Sequence, residues 1–248
     1  RIHSSADIAR AYQEAERGGF DNINLDLMHG LPGQTIDMAM ADLSAAIALK
    51  PMHISWYQLT LEPNTVFHAR PPADLPDDDL AFEIQDCGQA LLAAAGYRQY
   101  EVSAYARDGR HCRHNLNYWQ FGDYLAVGAG AHGKLTTSSG VQRYQKPANP
   151  LMYMKAQEAG GPVTPPTTLT DRDLMFEFML NALRLNDGFD EAIFVERTGL
   201  STRQLLDATG PAREKGLIER NGAGVWKPTE LGGRFLNDLQ AEFIETGA

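Results

Sequence analysis

NINLDLMHGLPGQTIDMAMADLSAAIALKPMHISWYQLT, residues 22–60, carries the pattern that decides the fold. Ile23, Leu25 and Leu27 alternate with Asn24, Asp26 and Met28, the period of two expected of a strand with one apolar face. After the turn-forming GLPGQT, residues 35–49 form an Ala-rich helix with Ile36, Met40, Leu43 and Ile47 on one stripe, and Lys50-Pro51 ends it. HISWYQLT, residues 53–60, then reads as a second strand closing at Glu62-Pro63-Asn64-Thr65. Strand, helix, strand at this spacing is a βαβ unit, which implies parallel strands and a right-handed crossover. In a βα barrel one strand face meets the outer helices and the other points inward. Residues near the C-terminal ends of the strands line the site, where Asp26 falls. Two parallel strands alone leave edges and faces uncovered, so further strands are expected from outside these residues.

Outward from this unit, Ser4, Ser5 and Asp7 cap a helix carrying Ile8, Tyr12 and Ala15, stopped at Gly18-Gly19. On the other side, the acidic triplet Asp77-Asp78-Asp79 starts a helix running to about Ala95, where negative charge suits the macrodipole better than it suits a metal. YRQYEVSAY, residues 97–105, reads as one strand. Asn149-Pro150 opens a short helix, and the Pro-rich segment around 159–170 reads as a linker. Beyond it come helices at 171–185, 191–197 and from Ser201, a LIER/GVWK hairpin turning at Asn221-Gly222, and a last helix from Thr229. That order suggests a winged helix. Residues 171–248 hold 14 acidic and 9 basic side chains, so phosphate attraction is weak and nucleic acid is not expected as a partner.

The least replaceable chemistry is concentrated in HCRHNLNYWQFGDYLAVGAGAHGK, residues 111–134. His114 heads an HNLNYW run in which Asn115 and Asn117 supply amides while Tyr118 and Trp119 supply broad apolar faces with a polar tip, a set suited to a flat, partly polar ligand. Taken singly, each of these residues has an ordinary alternative as a satisfied loop histidine or a core aromatic. Gly128, Gly130 and Gly133 spell G-x-G-x-x-G after an expected strand at 123–127, but KLTTSSGV follows instead of a helix and Glu158 comes too late for a ribose contact. A dinucleotide site is therefore rejected, and the glycines are read as a tight turn or a close backbone approach.

The chain has 248 residues and a net charge of −10, which argues against general binding to nucleic acid or anionic membranes. No apolar run approaches the roughly 20 residues of a spanning helix and no signal-peptide pattern is present, so a cytoplasmic setting is expected. Cys87 and Cys112 make neither a disulfide framework nor a zinc site.

The runs NINLDLMHGLPGQT, HISWYQLTLEPNT, YRQYEVSAYA and HNLNYWQFGDYLAVGAGAHGK, with the winged-helix-like end, resemble in order and spacing the HemW-type haem chaperones. These are relatives of oxygen-independent coproporphyrinogen III oxidase in the radical S-adenosylmethionine superfamily. The resemblance implies an α/β fold: the C-terminal part of a partial, TIM-like βα barrel with the HNLNYW and GAGAHGK region (1–158), a linker (159–170) and a small α+β winged-helix-like domain (171–248). It implies S-adenosylmethionine contacts at Arg1, Asp26, Thr60 and His132, and haem contacts at His114, Asn115, Tyr118 and Trp119, with His114 on the iron. It implies haem as cargo for haem-requiring acceptors such as membrane-associated respiratory enzymes. The alternative function is the oxidation of coproporphyrinogen III in porphyrin biosynthesis. The family's CxxxCxxC loop for a four-iron, four-sulfur cluster is not in these residues, so the chain alone is expected to be catalytically silent.

Overall fold

The structure is a computed structural model describing residues 4–158, 160 and 165–244. It divides into two compact units, residues 1–112 and 113–248. Arg1 and part of the expected linker, residues 159 and 161–164, lie outside the described residues.

The first unit runs α1 (Ser5–Arg17), β1 (Asn24–His29), α2 (Ile36–Ala48), β2 (His53–Gln58), α3 (Val66–Ala69), α4 (Asp78–Ala94), β3 (Arg98–Glu101) and β4 (Ala104–Ala106). Side-chain caps set the helix starts, as the sequence suggests for α1. Ser4 and Asp7 form a reciprocal capping box on α1, Thr35 accepts from the Met38 N–H, and Asp77 accepts from the Leu80 N–H. The βαβ unit is present, with β1 and β2 parallel and Asp26 opposite Ser55. The single strand expected over 97–105 is instead a hairpin. Its arms β3 and β4 turn back between Glu101 and Ala104, and β4 pairs antiparallel with β2, giving the order β1-β2-β4-β3. The uniform β-rich pattern conceals this turn because both arms are buried on the same sheet and share one composition.

Period-two alternation sorts the sheet into two faces. Leu27, His29, Ile54, Trp56 and Tyr105 meet α2 and α4 in a core with Leu43, Ile84 and Leu92. Gly88 of α4 lies flat against the Trp56 indole, and a Cβ there would come within 1.9 Å of the ring. The opposite face carries Asn24, Asp26, His53 and Ser55, and this polar row positions the candidate site.

The second unit contains α5 (Arg113–Trp119), β5 (His132–Thr137), β6 (Gly140–Gln145), α6 (Pro150–Glu158), β7 (Thr167–Thr168), α7 (Asp171–Ala182), β8 (Phe189–Asp190), α8 (Glu191–Thr198), α9 (Thr202–Ala208), α10 (Gly210–Glu214), β9 (Ile218–Arg220), β10 (Val225–Pro228), α11 (Glu230–Arg234) and α12 (Leu236–Ala241). The expected hairpin of the winged-helix-like part is β9-β10. It gains a third strand, β8, and the last helix is broken at Phe235 into α11 and α12.

Three expectations are corrected here. The strand expected over 123–127 is reduced to one bridge, Tyr124 with Lys134. The end of the expected linker is not loose, since Thr167 and Thr168 pair with Arg143 and Gln142 of β6. The HNLNYW region groups with the C-terminal unit and not with residues 1–112. The reason is packing: Phe121, 1% exposed, meets Phe178 edge-on in the same core as Phe194 and Trp226. This buried ring packs the turn after α5 against α7.

Candidate functional site

On the first unit, Asp26 is exposed and its Oδ1 accepts from Asn24 Nδ2 at 2.9 Å. Asn24 Oδ1 in turn lies 2.7 Å from His53 Nδ1 and accepts from Ser55 Oγ at 3.2 Å. His53 Nε2 lies 2.8 Å from the Tyr100 hydroxyl, which also accepts the Cys112 N–H, and His111 stacks on the Tyr100 ring at 4.2 Å. His53 and Tyr100 are both buried. Burial lowers the His53 pKa, although Asp26 pulls it up, and burial pushes the Tyr100 phenol up to about 12, so both are neutral near pH 7. Thr60 is exposed just beyond β2 and donates to Glu62 at 2.8 Å. The sequence reading singled out Asp26 and Thr60 but missed His53 and Tyr100, whose one local signal is a polar residue at an inward position of a strand.

On the second unit, His114 sits in the first turn of α5, exposed, with its imidazole edge-on to Tyr118 at 4.9 Å. Tyr118 tilts against Tyr124 at 4.5 Å, and Tyr124 receives a hydrogen bond from Arg143, which also pairs with Glu177. The Arg184 guanidinium covers the Trp119 ring at 4.3 Å, while the buried Trp119 Nε1 has no hydrogen-bond partner among the described residues. Asn115 is half-buried. Asn117 is exposed; its side-chain amide donates to the Asp123 carbonyl and its backbone carbonyl receives the Gly122 N–H, closing the turn after α5.

The glycine-rich run is structural at two points. Gly128 has φ +100°, which a side chain rarely tolerates, in a turn. Gly133 lies beneath the Tyr144 ring, where a Cβ would approach within 2.3 Å, and the Tyr144 hydroxyl accepts the Ala126 N–H. Lys134, 1% exposed, is the buried end of the motif. Its ammonium meets Asp123 at 3.0 Å and the face of Phe121 at 4.1 Å. Burial holds the Lys134 pKa below its usual range, and Asp123 opposes that. Burial would raise the Asp123 carboxyl, but the Thr136 N–H and Lys134 keep it below the usual range. His132 is exposed at the start of β5. Leu125 and Val127, at 73% and 81% exposure, leave the loop apolar toward solvent.

A family model described as the HemN C-terminal domain matches residues 169–235. The chain is 46% identical to the protein named heme chaperone HemW of Haemophilus influenzae, over 98% of this chain and 62% of that one. It is 44% identical to the protein named heme chaperone HemW of Escherichia coli, over 98% of this chain and 63% of that one. The chain is HemW-like along nearly its whole length. It spans somewhat less than two thirds of these HemW relatives. The solved coproporphyrinogen III oxidase (HemN) of Escherichia coli, described as a radical SAM enzyme, superposes on 99% of this chain and 60% of its own, with a TM-score of 0.75 at 21% identity. That likeness establishes the α/β fold of the HemW-like chain, and the higher identity to the HemW proteins sets it nearer to them than to the oxidase.

Cofactor fit differs by group. No cluster of three His, Cys, Asp or Glu side chains able to hold a metal exists among the described residues, so the iron-sulfur cluster does not fit the described part of this HemW-like chain. Cys87 is exposed on α4 and Cys112 half-buried, with no third thiol. An S-adenosylmethionine ribose suits Asp26, whose Oδ1 is held by Asn24 while the exposed carboxylate retains acceptor capacity. A haem suits α5, where the exposed His114 ring stands beside the Tyr118 face.

Proposed function

We propose that the chain belongs to a haem-binding chaperone that delivers haem to haem-requiring proteins such as respiratory enzymes. The whole protein is read as a cytoplasmic radical S-adenosylmethionine protein with a four-iron, four-sulfur cluster. The observation that carries the reading is the exposed His114 imidazole on α5, which makes no hydrogen bond among the described residues and stands edge-on to Tyr118, itself packed against Tyr124. An imidazole is a competent axial ligand for haem iron only when neutral and accessible. Tyr118 would lie along the porphyrin, with Asn115 and Trp119 supporting it. Names of relatives at 46% and 44% identity support the chaperone over coproporphyrinogen oxidation.

Asp26, with Thr60, His132 and Arg1, is assigned to S-adenosylmethionine. Asp26 would take the ribose hydroxyls, with Thr60 near the same cofactor. The cofactor supplies a cleavable carbon–sulfur bond; the chain's part is to bind and orient it.

The haem assignment is tested by the absorption spectra of haem-loaded His114→Ala, His111→Ala and His132→Ala, each checked for folding. His114→Ala alone is expected to lose the parent Soret position and affinity. If it keeps both while one of the others loses them, the ligand lies elsewhere and α5 is packing.

A further inference from the structure

We propose that Tyr100, His53 and Asn24 form a directional hydrogen-bond chain that holds the Asp26 carboxylate in position to accept the vicinal hydroxyls of a ribose. The inference rests on Asp26 being a cofactor contact, but the direction of the chain follows from the geometry alone. A carboxylate only accepts, so the Asn24 group at 2.9 Å from Asp26 Oδ1 must be the amide nitrogen. The Asn24 oxygen then faces His53 Nδ1 at 2.7 Å, which requires that nitrogen to carry the proton. In the neutral ring Nε2 is therefore the acceptor, and the Tyr100 hydroxyl at 2.8 Å must donate to it. The tyrosine oxygen is turned toward the Cys112 N–H, which donates to it at 3.1 Å. Ser55 supplies a second donor to Asn24 Oδ1, locking the amide against a flip.

Every donor in the series Cys112 N–H, Tyr100, His53, Asn24 points toward Asp26. Four bonds joining β1, β2, β3 and the residues after β4 thus end at one exposed carboxylate. Burial suits this arrangement. His53 and Tyr100 are 4% and 2% exposed, so water does not compete for the interior links, while Asp26 at the end stays open to a ligand. His111 stacked on Tyr100 holds the phenol plane from the other side. Asn24, His53 and Tyr100 are positioning residues: they act on a ligand through Asp26.

The test uses the full-length protein, S-adenosylhomocysteine as the probe, calorimetric titration, and nitrogen-15 NMR of the His53 ring. Asp26→Ala is expected to weaken binding roughly 10- to 100-fold and Tyr100→Phe, which keeps the ring stack, about three- to tenfold. The double variant should be no weaker than Asp26→Ala alone, because the tyrosine acts only through the carboxylate. The free protein should show the Nδ1–H tautomer of His53, with the Nε2 resonance moving when Tyr100 loses its hydroxyl. Unchanged affinity in folded Asp26→Ala overturns the cofactor reading of Asp26, and with it the purpose of the chain. Weakened Asp26→Ala with parent affinity in Tyr100→Phe, or an Nε2–H tautomer, overturns the positioning role alone.

Discussion

The seam where Trp56 and His29 lie against α4 and the surface that α5 presents use the same residue types to opposite ends. In the seam His29 is 3% exposed, tilted against Trp56 at 4.2 Å, with no partner for its Nδ1 among the described residues, and burial lowers its pKa to about 4. On α5, His114 is also beside an aromatic ring, yet exposed. A buried imidazole has spent its surface on packing and resists charging. An exposed one contributes little to folding and keeps its nitrogens for a ligand. The same contrast holds between Gly88, which exists to admit an indole, and the loop carrying Leu125 and Val127, which leaves apolar side chains facing out.

The sharpest break of this comparison is Gly88→Val. Even the Cβ would stand 1.9 Å from the Trp56 ring, so α4 or the indole must move. Valine gains helix propensity over glycine, but only a few tenths of a kcal/mol. Overpacking should dominate and destabilise the first unit by about 3 kcal/mol or more, read from chemical denaturation. A loss under 1 kcal/mol would mean the seam is loose and His29 not sealed by it.

A somewhat smaller effect is expected from acid. The folded pKa of His29, about 4, lies below the ordinary 6.5, so the folded state binds fewer protons than the unfolded chain. Its stabilising contribution is complete above pH 6.5 and is lost as pH falls toward 4, roughly 2 to 3 kcal/mol in all. His53, lowered in the same direction by burial, adds to the slope. His29→Phe should flatten stability measured between pH 7 and 4.5. An unaltered slope would assign acid sensitivity to other groups.

The smallest effect on folding sharpens the other side. His114→Ala should change stability by about 0.5 kcal/mol or less, as for an exposed position that makes no hydrogen bond among the described residues, while removing the proposed axial ligand. A loss of 2 kcal/mol or more would show that His114 is packed like His29 and that the two regions do not differ.

Much of the fold was legible locally. The capping residue Ser4, the acidic start at Asp77 and the stripe on α2 marked helices that the structure bears out, and alternation in residues 22–28 marked both faces of β1. The hairpin within 97–106 was not legible, because its tight turn at Val102-Ser103 carries no glycine or proline. The local partner of Asn117 was not legible for a related reason: nothing in the motif announces that its amide donates to the Asp123 carbonyl.

What the sequence determined by itself is therefore the inventory: which segments are helical or extended, where they stop, and that Asp26 and His114 stand in motifs resembling one family. Those signals are local, written in periodicity and caps over a few residues. Only the tertiary structure decided the partners. Asn24 and His53 are 29 residues apart and His53 and Tyr100 are 47 apart, and they meet because sheet register brings one side chain from each strand to the same face. Phe121 likewise joined α5 to the C-terminal core by burying its ring against Phe178, a choice set by which apolar surface lay within reach of the folded chain.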